Sequence, residues 1–118
     1  MWDRYNVSAQ QAMSQGNTIE AERFFNLALK EAENLPASDP KLSLTLNNLA
    51  NCLRQQGRYT DAEPLYKRAI TAKEKQVGVN HKDLAILLEN YAKMLRLAGR
   101  TPEAEKIDSR VLAIYTKN

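Results

Sequence analysis

Cysteine and histidine occur once each in this chain of 118 residues, as Cys52 and His81. A single cysteine makes no internal disulfide, which suits a reducing compartment. A lone histidine without a nucleophile or ligand partner supports neither a catalytic triad nor a zinc site. His81 is therefore expected to serve a turn, and Cys52, beside Leu53, to act as a small apolar residue. No stretch approaches the roughly 18 apolar residues of a membrane span, and Met1-Trp2-Asp3-Arg4-Tyr5-Asn6 lacks the basic-then-apolar pattern of a signal peptide. A cytoplasmic location is the expectation. Glycine and proline are scarce, at 4 each, which argues against disorder or a loop-rich fold. The glycines are isolated, so no phosphate-cradling loop is present. Glu20 with Glu22, and Glu103 with Glu105, read as helix-start acids favoured by the macrodipole rather than as a catalytic pair. No enzyme activity, cofactor or metal is expected.

Apolar residues make up 43% of the chain and charged residues 26%, enough for one domain (1–118) with a continuous core but not for two. The net charge of +3 is uneven: residues 1–40 carry 3 basic and 6 acidic side chains, residues 41–118 carry 14 and 8. A basic C-terminal portion would steer acidic partners, although such an excess is often only a solvated helical surface.

One pattern occurs three times. Gly57 to Ile70 (Gly-Arg-Tyr-Thr-Asp-Ala-Glu-Pro-Leu-Tyr-Lys-Arg-Ala-Ile) has an earlier counterpart from Gly16 to Leu29 and a later one from Gly99 to Ile107, with the glycines 41 and 42 residues apart. That period implies stacked units, each too small to bury its own apolar face. Within the units, Tyr5, Ala9, Ala12 and Met13, then Leu42, Leu46, Leu49, Ala50 and Leu53, then Ala85, Leu88, Tyr91, Ala92 and Leu95 fall at helical spacing. Each of these helices is closed by a glycine. Asn17 or Thr18, Thr60 with Glu63 as a capping box, and Thr101 ahead of Pro102 are the expected starts of the second helix of each unit. Pro64 is expected near the edge of the first turn, where its missing donor matters little.

Leu46-Asn47-Asn48-Leu49-Ala50, Gly57-Arg58-Tyr59, Ala62-Glu63-Pro64-Leu65-Tyr66, Ala69 and Glu74 to His81 resemble the tetratricopeptide repeat family, in its 42-residue form found in kinesin light chains, over nearly the whole chain. The resemblance implies an all-α, right-handed solenoid of three helical hairpins, six helices in total, with repeats at about 2–39, 40–81 and 82–118. Ala9, Ala50 and Ala92, with Ala21, Ala62 and Ala104, would let paired helices approach closely. Phe25 and Tyr66 would pack on the following repeat. Asp108 replaces them in the third, which suits a solvent-facing end. Leu112, Ile114 and Tyr115 would leave an apolar patch there. Trp2 lies outside the pattern and is expected to cap the first helix pair.

The resemblance also implies a ligand groove lined by the first helix of each repeat. With Leu46, Leu49, Ala50 and Leu53 buried, a rotation of about 100° per residue puts Asn47, Asn48, Asn51, Arg54 and Gln55 on the opposite side. The matching sets are Asn6, Gln10 and Met13, and Glu89, Asn90, Lys93 and Arg96. Asparagine and glutamine amides offer donors and acceptors to an extended peptide, and Arg54, Lys93 and Arg96 can pair with its carboxylates. Asparagine is a poor helix former, so three in one helix look costly unless used. A protein or peptide partner is expected, an acidic one suiting the charge. The family's carboxylate clamp for chaperone C-terminal tails is mostly missing, since its positions hold Asn6, Gln10, Asn48, Ile86 and Asn90 and only Asn48 matches. Alternatives are homo-oligomeric assembly through the apolar ends, and single-stranded nucleic-acid binding, for which the groove has few cations and no stacking aromatics.

Overall fold

The computed structural model describes residues 1–117. Six helices follow one another: α1 (Trp2–Ser14), α2 (Thr18–Ala32), α3 (Lys41–Gln55), α4 (Tyr59–Val77), α5 (Lys82–Leu97) and α6 (Thr101–Lys117). No strand occurs among the described residues. Consecutive helices pack as hairpins, α1 on α2, α3 on α4 and α5 on α6, and the hairpins stack through α2 on α3 and α4 on α5. The result is a right-handed α-solenoid of three such hairpins. Odd-numbered helices also touch across the stack, α3 on α5, which puts α1, α3 and α5 on the inner side of the curve.

The turn inside each hairpin has one chemistry. At Gly57 the backbone reaches φ +78°, a conformation a side chain would strain, and the chain closes with Gly57 N–H on Arg54 O and Arg58 N–H on Leu53 O, both 2.9 Å. The longer bond recurs as Asn17 to Ala12 at 2.9 Å and Arg100 to Leu95 at 2.8 Å. Close hairpin packing then needs small residues where the helices meet. Ala9, Ala50, Ala92, Ala21, Ala62 and Ala104 are all at most 1% exposed. Larger groups fill the remaining space, with Phe25, Leu46, Tyr66, Leu84, Leu88, Met94, Leu95 and Ile114 the largest fully buried ones.

Two ion pairs repeat at both hairpin junctions. Arg58 meets Glu22 at 2.8 Å and Arg100 meets Glu63 at 2.8 Å; further along, Arg68 stands 4.0 Å from Glu33 and Arg110 2.7 Å from Glu74. Each arginine thus reaches back to the preceding unit's second helix. The more open of these pairs, such as Arg68 with Glu33 at 50% and 48% exposure, contribute about 0.2–1 kcal/mol each, whereas Glu63, at 18%, is the most covered of the four acids.

Several helix starts differ from the sequence reading. Asn17 does cap α2, its Oδ1 accepting from Glu20 N–H at 3.2 Å. However, α4 begins at Tyr59 with Arg58 as its flanking residue and no side-chain cap, so Thr60 and Glu63 form no capping box. Glu63 is drawn instead to Arg100 and Tyr91 of the next unit. Thr101 likewise lies inside α6 rather than ahead of it. The earlier start puts Pro64 in the second turn, where it denies Thr60 O its helical partner. His81 caps α5, with Nδ1 accepting from Asp83 N–H at 3.0 Å. Trp2 reaches across to the second unit rather than capping its own pair: its Nε1–H donates to Thr45 Oγ1 at 2.8 Å, and Lys41 Nζ lies 5.5 Å from its ring centre. An indole N–H needs an acceptor once covered, and Thr45 supplies it. Ile114 is buried, so the C-terminal apolar patch reduces to Leu112 and Tyr115, at 63% and 46% exposure.

Cys52 is a free, fully buried thiol that donates to Thr18 O at 3.1 Å. Burial pushes its pKa up, away from the reactive thiolate.

Candidate peptide-binding face

The inner helices position the face predicted to bind. Because α1, α3 and α5 are related by steps of 41 and 42 residues, Gln10, Asn51 and Lys93 fall on one level, and Met13, Arg54 and Arg96 on the next. Gln10, Lys93 and Arg96 are exposed, while Asn6, Asn48, Asn51, Arg54 and Asn90 are half-buried.

Asn47 departs from the expectation: it is 7% exposed and sits between α3 and α5, where its Oδ1 accepts from Asn90 Nδ2 at 3.4 Å. A rotation rule counts one helix alone, and the stacking of α5 on α3 covers the flank that carries Asn47. Asn6 and Asn48 stand at the same two positions one unit earlier. There Asn6 Oδ1 is a buried acceptor and Asn48 Nδ2 a buried donor, each without a hydrogen-bond partner among the described residues. An acceptor and a donor thus occupy at the first inner junction the positions that Asn47 Oδ1 and Asn90 Nδ2 occupy at the second. Part of the asparagine content belongs to helix stacking.

The cations are also committed unequally. Arg54 Nη1 donates to Tyr66 Oη at 3.2 Å, and that hydroxyl donates to Asn51 Oδ1 at 2.5 Å. Burial raises the Tyr66 pKa to about 12 against the opposing pull of Arg54, so the phenol stays neutral and keeps its proton for Asn51. One unit later Arg96 is held by Asp108, which is thus an ion-pair partner as well as a partly exposed end. Lys93 is exposed and makes no ion pair among the described residues.

An apolar component escapes the sequence reading. Val7, Leu44 and Ile86 are 54%, 43% and 54% exposed, all on inner helices. Leu44 and Ile86 are 42 residues apart and off the buried stripe, which is the signal that could have found them. Together with Asn47 and Leu87 they line a cleft of about 180 Å³ at the α3–α5 junction, which Lys73 and Asp83 also border. The face can thus offer amide hydrogen bonds, an apolar slot and the Lys93 cation. Among the described residues no group of three or more side chains could hold a metal ion, and no helix is long and apolar enough to cross a membrane.

A tetratricopeptide repeat family profile matches residues 5–75 and again 41–117. A search of curated proteins gave no match. Among solved structures, BtubC (BKLC) from P. vanneervenii superposes with a TM-score of 0.92 at 25% identity, over 99% of this chain and 46% of its own. Podosopora anserina repeats, described as nearly identical TPR-like repeats of a kinesin light chain, superpose with a TM-score of 0.84 at 19% identity, over 98% of this chain and 56% of theirs. A point variant of the same repeats gives 0.85 at 20% identity, over 98% and 55%. The chain spans about half the length of these structures. The two profile matches overlap in the second hairpin and together take in all six helices, so the chain belongs to the tetratricopeptide repeat family.

Proposed function

We propose that this chain is a non-catalytic scaffold that binds an extended peptide segment of a protein partner across α1, α3 and α5. The observation that carries the reading is the pair Leu44 and Ile86, held in solvent beside Asn48, Asn51, Asn90 and Lys93. An exposed apolar slot next to convergent amides is what a peptide with one apolar side chain and a free backbone would fill. Lys93 and the partly exposed Arg54 favour an acidic residue nearby. Membership of a family of protein-interaction scaffolds is consistent with this reading.

Peptides selected by display against the intact chain provide the test. Leu44→Glu with Ile86→Glu should weaken their binding at least tenfold, about 1.4 kcal/mol, whereas Lys106→Glu on the outer helix α6 should leave it unchanged. Fluorescence anisotropy reads both. Loss with the outer variant and none with the inner pair would overturn the assignment.

One observation favours assembly as a second reading. Leu112 occupies the position of Ile70, which is 7% exposed in the second hairpin, yet Leu112 itself is 63% exposed. If this end associates, light scattering should show a mass that rises with concentration in the natural chain and not in Leu112→Lys. A constant monomer mass removes the reading.

A further inference from the structure

A second cleft, of about 370 Å³, opens on a different side of the molecule, where α4 meets the start of α3. Its size falls within the range of ordinary small-molecule sites, about 300–1,000 Å³. Leu42 and Leu46 of α3 and Ala72 of α4 give it apolar walls, and Lys67, Arg68 and Lys75 of α4 border it.

The cleft has a local cause. In the third hairpin the residues at the positions of Leu42, Leu46 and Ala72 are Leu84, Leu88 and Ile114, all at most 1% exposed. In the second hairpin alanine replaces that isoleucine, and Leu42 is left half-buried. The missing side-chain carbons of one residue leave a slot over Leu42, with the buried Leu46 at its floor. The charges are equally local. Lys67, Arg68 and Lys75 correspond to Asn26, Leu27 and Asn34 in the first hairpin and to Ser109, Arg110 and Lys117 in the third. Only the second hairpin puts three cations around this position. They are weakly held: Lys67 Nζ is 3.8 Å from Glu63, Arg68 Nη2 is 4.0 Å from Glu33, and Lys75 makes no ion pair among the described residues. Long lysine and arginine stems extend the apolar wall while their heads stay in water.

We infer that this cleft binds a small amphiphilic carboxylate, with an aliphatic chain over Leu42 and Leu46 and its carboxylate among Lys67, Arg68 and Lys75. Apolar burial supplies affinity and the three cations select the anion. The site is separate from the inner face, so it stands or falls independently of peptide binding.

Decanoate titrated into the intact, isotopically labelled chain provides the probe. Saturable NMR shifts should centre on the Leu42 and Leu46 methyl groups, and decanol should bind at least tenfold more weakly. Ala72→Ile, which copies the third hairpin, should reduce decanoate affinity at least tenfold without lowering the melting temperature. Lys67→Gln with Lys75→Gln, both exposed, should reduce decanoate affinity at least fivefold and leave decanol unaffected, which decides the matter if the isoleucine variant folds poorly. Absence of saturable shifts, shifts centred elsewhere, equal binding of decanol, or stronger binding of an acidic peptide without an aliphatic chain would each overturn the assignment.

Discussion

Tyr66→Ala is expected to lower the unfolding free energy by about 3–5 kcal/mol, the usual cost of deleting a buried aromatic ring. Against a domain total of about 5–15 kcal/mol, that change leaves much of the population unfolded on mild warming. Tyr66 is 0% exposed, packs at 5.9 Å between ring centres against Tyr91 of the next hairpin, and hydrogen-bonds Arg54 and Asn51 of its own. Removing it opens a cavity at the junction of two hairpins, and a solenoid depends on such junctions because no hairpin has a core of its own. Urea unfolding monitored by circular dichroism measures the loss. A change below about 1 kcal/mol would show that the junction repacks around the gap.

The hydroxyl can be separated from the ring by comparing units. At the positions of Arg54, Tyr66 and Asn51 the first hairpin has Met13, Phe25 and Gln10, and the third has Arg96, Asp108 and Lys93. A polar partner on the second helix thus accompanies an arginine on the first, and an apolar ring accompanies methionine. Tyr66→Phe alone should cost about 1 kcal/mol by stranding Arg54 and Asn51. Adding Arg54→Met should recover most of it, a coupling that a double-mutant cycle detects.

The same comparison explains which parts of the molecule could be read in the sequence. Gly16, Gly57 and Gly99 close their helices through local backbone geometry, and the six alanines pack where helices of one hairpin cross, so a periodic reading finds both. Asn47, Leu44 and Ile86 escape it because their exposure depends on a helix some 40 residues away. From α3 alone Asn47 lies on the polar side, and only the arrival of α5 covers it. Leu44 sits between Leu42 and Leu46 in sequence, yet α4 and α5 border it only across an open cleft and leave it 43% exposed. Glu63 shows the same dependence: a glutamate three residues after a threonine suggests a capping box, but Arg100 and Tyr91 compete for it from the next hairpin. Local chemistry was legible, and the allocation of polar groups between hairpins was not. The inner face suffers most, since its side chains serve both stacking and solvent.

That competition makes Glu63 the group through which acid should weaken the fold. Arg100 grips both carboxylate oxygens, Nη1 to Oε1 at 2.8 Å and Nη2 to Oε2 at 2.9 Å, and Tyr91 Oη donates to Oε2 at 2.7 Å. Chiefly through Arg100, and despite partial burial that opposes it, the carboxyl is held down from 4.5 to about 2. A depressed pKa means that the unfolded chain takes up the proton first. The stabilisation is therefore complete above about pH 4.5 and is lost as pH falls towards 2. Its ceiling is about 3 kcal/mol at 1.36 kcal/mol per pH unit, and a side chain still 18% exposed to solvent brings the expected value nearer to about 2 kcal/mol. Glu63→Gln should then be about 2 kcal/mol less stable than the natural chain at pH 7, with the gap closing between pH 4.5 and pH 2. Glu20 and Glu103, exposed carboxylates that Arg23 and Arg100 also hold low, remain in both proteins, so the subtraction largely removes them. Arg100 will lean on Glu103 once Glu63 is neutral, and Glu103→Gln alone should show a much smaller gap because that pair is open to water. Urea midpoints at four pH values suffice, and a difference that stays constant down to pH 2 would mean that Glu63 acts by shape and not by charge.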